Sequence, residues 1–237
     1  MKNINPTINR AEIVNKIITN VEKCYDYEQE HLHLLSLHAK TEGEIRNAAG
    51  NLVEHILQNI FNSINMYYVG ANIESKIGSS DYLTKTIFYE NQTIVFNQIQ
   101  VDRHIFQDKH RIAFIENKTY LDSCYFDRAL ADFRRIAQSL RQNNIDPASV
   151  KFIVFAGQDA ATSNTLKAYE ADFWDETKHL TNDTDGLHPE IFFFLKGKRK
   201  SNLPLYKVKH ELDKDSIRDF ANYILDLIEF GDTNARV

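Results

Sequence analysis

The apolar positions in the first quarter of the chain repeat at helical spacing. Over residues 10–38, Ile13, Ile17 and Val21 recur every four positions with Glu and Lys between them, which predicts an amphipathic helix. Residues 42–65 carry a broader apolar stripe of the same period, typical of a helix that packs against a core. The chain is therefore expected to begin with two helices.

The pattern changes to β after the Gly/Ser break at 78–80. Residues 82–89 and 93–106 are rich in β-branched and aromatic side chains, which predicts two strands. A polar turn at 107–110 leads into 111–118, which is apolar at nearly every position until its end. Such a continuous run is typical of a strand that is covered on both faces.

Helix and strand patterns then alternate. Residues 123–142 predict a helix, 150–156 and 190–195 predict apolar strands, and 213–230 predicts a closing amphipathic helix. A strand, a helix and another apolar strand favour a right-handed parallel unit. We therefore expect an α/β fold with three layers, in which helices flank both faces of a mixed sheet of about five strands.

Length and composition are those of one soluble globular domain. The chain has 237 residues, of which 43% are hydrophobic and 26% charged. We expect a single domain over 1–237, with an N-terminal helical part at 1–41, a core at 42–156 and a C-terminal part at 157–237.

The sequence indicates an intracellular protein. The N-terminus has no apolar signal-peptide core, and no apolar run approaches the roughly 18 residues that a membrane span requires. Cys24 and Cys124 lie far apart without metal-ligand spacing, which is typical of a reduced compartment. We therefore expect a cytoplasmic protein.

Charge is distributed unevenly along the chain. The net charge of −5 argues against a nucleic-acid partner, but binding depends on the local field. Residues 196–210 carry six Lys and Arg and no acid, whereas 170–190 carry seven acids and one Lys. A basic run is ordinarily a solvated surface, so this one only keeps DNA or RNA open as a partner.

Candidate chemistry is concentrated in residues 99–122. Asp102 lies on one predicted strand, and Glu116 and Lys118 lie on the next. Alternate side chains of a strand share a face, so Glu116 and Lys118 point the same way and Asn117 points the opposite way. A twisted hairpin can bring Asp102 and Glu116 to one divalent ion, and carboxylate oxygens suit Mg²⁺.

These residues are the parts of a metal-dependent phosphodiesterase. We expect Asp102 and Glu116 to hold the metal, and Lys118 to orient or deprotonate the attacking water and to stabilise the developing charge. Glu54 borders the apolar stripe of its helix and is a candidate to bind a second metal or to hold a water ligand. The alternatives are a charged surface hairpin without chemistry and, for Glu54, a solvated or salt-bridged side chain.

In order and spacing, Glu54, Asp102 and Glu116-Asn117-Lys118 resemble the PD-(D/E)XK nuclease pattern. The stretch ENKTYLDSCYFDRALADFRRI is similar to type II restriction endonucleases, in particular those related to DdeI. In that family the first carboxylate often follows a proline, and here Val101 precedes it. The resemblance covers about residues 44–136.

The resemblance implies a restriction-endonuclease-like α/β/α core that cleaves double-stranded DNA at a short specific sequence, with Mg²⁺ as cofactor and Mn²⁺ as a substitute. It further implies a homodimer in a prokaryotic cell, with a cognate DNA methyltransferase encoded nearby but not necessarily bound. A structure-specific repair or resolvase nuclease, and a DNA-binding or interaction module without catalysis, remain alternatives.

Base reading is then expected outside the core motif, in the 157–168 loop and in the basic segment at 196–209. For both, an ordinary solvated loop is the alternative. The candidate DNA contacts are Gln158, Ser163, Asn164 and Lys167 in the loop and Lys196, Lys198, Arg199 and Lys200 in the basic segment.

Overall fold

The helices in the described part of the chain begin and end within two residues of their predicted limits. The computed structural model describes residues 9–76, 102–161, 189–200 and 202–230, and the backbone of 84–89 and 92–98. The helices in these ranges are α1 (Arg10–His38), α2 (Glu42–Tyr67), α3 (Ser123–Gln142) and α4 (Lys214–Phe230). The strands are β1 (Ile73–Lys76), β2 (Thr84–Tyr89), β3 (Gln92–Gln98), β4 (Arg103–Gln107), β5 (His110–Leu121), β6 (Lys151–Asp159) and β7 (Pro189–Phe193).

Five of the strands form one mixed sheet, as predicted. Its order is β1-β4-β5-β6-β7. The β1–β4 and β4–β5 pairs are antiparallel, whereas the β5–β6 and β6–β7 pairs are parallel. Helix α3 connects β5 to its parallel neighbour β6, so the predicted strand–helix–strand unit is present.

Helices cover both faces of this sheet, and each face has its own apolar core. Ile115 and Phe155 pack with α1, α2 and α4 on one face. Phe114 and Val154 pack with α3 on the other face. Because β5 and β6 contribute alternate side chains to both cores, they are the central buried strands that their continuous apolar runs predict.

The predicted strand at 93–106 is wrong as a single element. Strand β3 pairs with β2 in a separate two-stranded sheet, whereas β4 lies in the main sheet. Strand β1 has no counterpart in the sequence prediction. A β-branched run favours extended backbone but does not select the strand it pairs with, since that choice depends on packing. The break at 78–80 lies outside the described residues.

Two local features fix the ends of β5. The turn between β4 and β5 consists of Asp108 and Lys109, whose positive φ angles of 48° and 72° are typical of a tight type I′ hairpin. At the other end, the Asp122 carboxylate accepts a hydrogen bond from the Tyr125 backbone N–H at 2.9 Å and caps α3. Helix α3 therefore begins immediately after β5.

Cys24 and Cys124 are both free, as the sequence predicts. Among the helices in the described ranges, none is long and apolar enough to cross a membrane.

Candidate functional site

Asp102 is positioned by the β4–β5 hairpin. The register pairs Arg103, the first residue of β4, with Ile115, so Asp102 immediately precedes the paired part of the strand. Its Oδ2 atom accepts a hydrogen bond from the Asn117 backbone N–H at 2.8 Å. The carboxylate therefore takes the place that a strand carbonyl would hold and is fixed against β5.

Three of the predicted site residues meet at this point. The Lys118 Nζ atom lies 2.6 Å from Glu116 Oε2 and 3.3 Å from Asp102 Oδ2. We refer to Asp102, Glu116 and Lys118 as the charged trio. Two acids thus share one ammonium group on the α3 side of the sheet, because Glu116 follows the alternation of Phe114.

The charged trio is largely buried, which disfavours having both carboxylates ionised. Only 5% of the Glu116 side chain and 17% of the Lys118 side chain are exposed. Burial and the neighbouring Asp102 raise the pKa of Glu116 to about 7. Burial lowers the pKa of Lys118, but Glu116 and Asp102 outweigh it and the net pKa is raised. A divalent cation between the two carboxylates would stabilise both of them in the ionised form.

Glu54 lies on the other side of the sheet. Its Oε2 atom is 3.4 Å from an Nη atom of the buried Arg103, which also bonds Gln58 Oε1 at 3.0 Å. Arg103 pairs with Ile115 and so faces α2, as does Asn117, whose orientation the sequence predicts correctly. Among the described residues, no hydrogen bond or ion pair joins Glu54 to the charged trio. The salt-bridged alternative therefore describes its contacts.

Asp132 on α3 is an acid that sequence reasoning missed. Its pKa is raised chiefly by burial, while Arg135 and Lys118 act to lower it and Asp102 to raise it. The charges of Lys118 and Asp102 therefore act on Asp132. Glu54 is paired with Arg103 instead. The signal in the sequence is an acid beside the apolar stripe of the helix that follows the E-x-K strand.

The candidate base-reading residues are only partly described. Gln158 is 3% exposed at the end of β6 and bonds His210 Nδ1 at 3.2 Å. Ser163, Asn164 and Lys167 lie outside the described residues.

The basic segment is less available to phosphates than its sequence indicates. Lys196 pairs with Glu211 at 2.5 Å, and Lys198 pairs with Asp159 at 3.4 Å. The Arg199 guanidinium lies over the Tyr120 ring, 3.4 Å from its centroid.

Lys200 is exposed, and no ion pair is found for it or for Arg199 in the described part of the chain. Within the basic segment, Arg199 and Lys200 are therefore the candidate DNA contacts whose charged groups are available to a ligand.

The charged trio fits a hard divalent cation. No group of three or more His, Cys, Asp or Glu that could hold a metal is found among the described residues. Asp102 and Glu116 nevertheless supply two carboxylates around one cationic group. Mg²⁺ is commonly held by one or two carboxylates, with waters and substrate phosphate completing its coordination.

A comparison of the chain with protein-family models gives no match, and a comparison with curated proteins gives none either.

Proposed function

We propose that the protein is a Mg²⁺-dependent nuclease that hydrolyses phosphodiester bonds in double-stranded DNA. The charged trio carries this proposal, because its two carboxylates and one ammonium converge within hydrogen-bonding distance. Asp102 and Glu116 would hold the metal, which when bound supplies charge neutralisation at the phosphate and a water of lowered pKa.

Lys118 would stabilise the negative charge that develops on the phosphate. Glu116 and Asp102 raise its pKa, so it is a cation in the metal-free protein and has the charge that this role requires. The Asn117 backbone N–H donates to Asp102 Oδ2 and so holds the metal-binding carboxylate against β5, beside its contact with Lys118. The buried surroundings of Glu116 strengthen each of these interactions.

We further propose that this nuclease is a type II restriction endonuclease acting as a homodimer in the prokaryotic cytoplasm. The support is the resemblance to the PD-(D/E)XK pattern, together with a mixed sheet between helical layers that carries the motif on an antiparallel hairpin followed by a helix and a parallel strand. One site per subunit calls for two-fold symmetry to cut both strands, which matches a palindromic or near-palindromic sequence.

Digestion of plasmid DNA of known sequence tests this proposal. With Mg²⁺ we expect discrete fragments whose mapped ends share one short sequence. Asp102→Asn should abolish cleavage and leave the circular-dichroism spectrum unchanged, since an amide oxygen can still accept the Asn117 N–H bond. Asp215→Asn removes an exposed carboxylate paired with Arg218 and is the matched control. Cleavage by Asp102→Asn at the wild-type rate would refute the assigned site.

A non-catalytic DNA-binding or interaction module is the second candidate. It is favoured by the contact of Lys118 with both carboxylates, which closes the cluster without a metal. Calorimetry with Mg²⁺ or Mn²⁺ separates the two, because a module should show no binding that Asp102→Asn removes. Cleavage of branched junctions or flaps with intact plasmid left uncut would instead indicate a structure-specific repair or resolvase nuclease.

A further inference from the structure

A cavity of about 410 Å³ lies between the carboxyl end of β5 and the first turns of α2. Its size is in the range of small-molecule sites. The carboxyl ends of parallel strands are also where open α/β sheets bind ligands. Its lining includes polar, aromatic and apolar side chains, among them Tyr120, Tyr125, Gln158, Arg199, Leu205 and Tyr206.

We propose that this cavity binds a single unstacked nucleobase of the polynucleotide substrate. Base binding by the cavity is independent of the proposed nuclease activity, and only the assignment of the base to a DNA substrate rests on that proposed function. Tyr120 follows Lys118 by two residues on β5, which is roughly 7 Å along a strand. A base adjacent to the phosphate at the charged trio would therefore reach the cavity.

The cavity contains a planar cation stacked over an aromatic ring. The Arg199 guanidinium lies over the Tyr120 ring, with its central carbon 3.4 Å from the ring centroid. Tyr125 meets the same ring edge-on, with centroids 5.1 Å apart. Unstacked bases are recognised on aromatic rings and guanidinium planes of this kind, since every base presents a π-face.

The backbone of Arg199 is hydrogen-bonded, while its guanidinium has no acidic partner among the described residues. The Arg199 backbone N–H donates to the Asp159 carbonyl at 2.7 Å. Arg199 is half-buried, whereas Lys198 and Lys200 on either side are exposed. No acid pairs with its side chain among the described residues, so the guanidinium can donate to acceptors on a base edge.

Gln158 supplies a hydrogen-bond acceptor. His210 Nε2 lies 3.0 Å from the Leu203 carbonyl, which can only accept, so this nitrogen carries the ring proton. In the neutral ring, His210 Nδ1 is then an acceptor and receives the Gln158 amide N–H at 3.2 Å. The Gln158 carbonyl oxygen has no partner among the described residues and is the group left to accept a bond from a ligand.

The lining favours a base over a bare anion. Glu42 and Arg46 at the cavity pair with each other at 3.0 Å, so among the described lining residues Arg199 is the cation without an acidic partner. Tyr206 and Leu205 add further aromatic and apolar surface. A nucleobase offers a π-face, donors and acceptors together, whereas phosphate offers only acceptors.

Titration with the four deoxynucleosides tests this site, with binding observed by NMR in EDTA. Nucleosides carry no phosphate, so the charged trio does not contribute to their binding. We expect at least one to bind, and Tyr120→Leu and Arg199→Gln each to weaken it roughly five-fold or more, as loss of a base–aromatic stack does. Gln158→Leu should reduce the preference among the four bases.

Arg218→Gln on α4 removes the same charge away from the cavity and should bind like the wild type. Because Tyr120 is partly buried, thermal unfolding is compared for all variants, and Arg199→Gln carries the test if Tyr120→Leu does not fold. Absence of nucleoside binding by the wild type, or equal binding by Arg199→Gln, would overturn the proposal. Nucleoside binding without DNA cleavage would instead refute only the proposed nuclease, and cleavage without nucleoside binding would refute only this site.

Discussion

Lys118 and Glu116 form a buried ion pair on β5, in which Lys118 Nζ is 2.6 Å from Glu116 Oε2. The cluster as a whole carries one negative charge more than positive, because Asp102 Oδ2 also lies 3.3 Å from the same Nζ atom. One cation therefore faces two acids where solvent screens little. This excess of negative charge determines how substitutions at the site should affect stability and metal binding.

Glu116→Gln should make the protein more stable at neutral and higher pH. Burial and Asp102 raise the pKa of Glu116 from 4.5 to about 7, so the folded chain binds a proton that the unfolded chain releases. The wild type therefore loses stability as pH rises between these values, by about 3 kcal/mol at most. Denaturant unfolding in EDTA should show an advantage for the variant that is absent at pH 4 and complete by pH 8.

The same variant should not cleave DNA, because one metal-binding carboxylate is gone. A gain in stability with loss of activity is typical of a functional site. If Glu116→Gln shows the same pH dependence of stability as the wild type, the buried acid is not the source of that dependence.

Lys118→Met should destabilise the protein by about 3–5 kcal/mol in EDTA, since two carboxylates are left close together without their cation. Mg²⁺ should restore part of this loss, because it would occupy the same position between the acids. Thermal unfolding with and without Mg²⁺ measures both effects.

The matched control for Lys118→Met is Lys214→Met, whose exposed ion pair with Glu22 should contribute no more than about 1 kcal/mol. Equal stability of Lys118→Met and the wild type, without a response to Mg²⁺, would contradict this account of the charged trio.

Asp132→Asn should impair cleavage more than Glu54→Gln. Asp132 is coupled electrostatically to Lys118 and Asp102, whereas Glu54 contacts Arg103 on the opposite face. Loss of an acid around the metal ligands typically costs roughly 10- to 100-fold.

Glu54→Gln keeps an acceptor for Arg103, so its cleavage rate should stay within roughly ten-fold of the wild type if Glu54 acts only through that contact. Cleavage rates at saturating Mg²⁺ compare the two variants. A larger loss for Glu54→Gln would instead restore Glu54 as a metal ligand.

Gly157→Ala should disrupt the junction between β5 and β6 near the cavity. A Cβ atom at Gly157 would lie 2.3 Å from the Thr119 carbonyl oxygen, and this backbone cannot move without displacing Tyr120. We expect a loss of about 3 kcal/mol or more in the free energy of unfolding.

Gly50→Ala is the control for this glycine, because a Cβ there meets no atom within 4 Å inside α2. It should gain up to about 1 kcal/mol from helix propensity. Urea unfolding of both variants checks the pair, and a tolerated Gly157→Ala would show that the close approach can relax.

Local periodicity was sufficient to predict the helices and the two faces of β5. Helical periodicity located α1 and α2 to within two residues, because each apolar stripe reports the rotation of the backbone along one segment. The period of two along β5 likewise placed Glu116 and Lys118 on one face and Asn117 on the other.

The partners of those elements depend on tertiary packing. Strand β3 lies outside the main sheet, and Glu54 contacts Arg103 rather than the charged trio. Arg199 reaches Tyr120 from a distant part of the chain. These contacts depend on how separate segments pack, which no local period encodes. The charged trio was therefore predictable from the sequence, whereas the cavity lined by Tyr120 and Arg199 exists only in the folded protein.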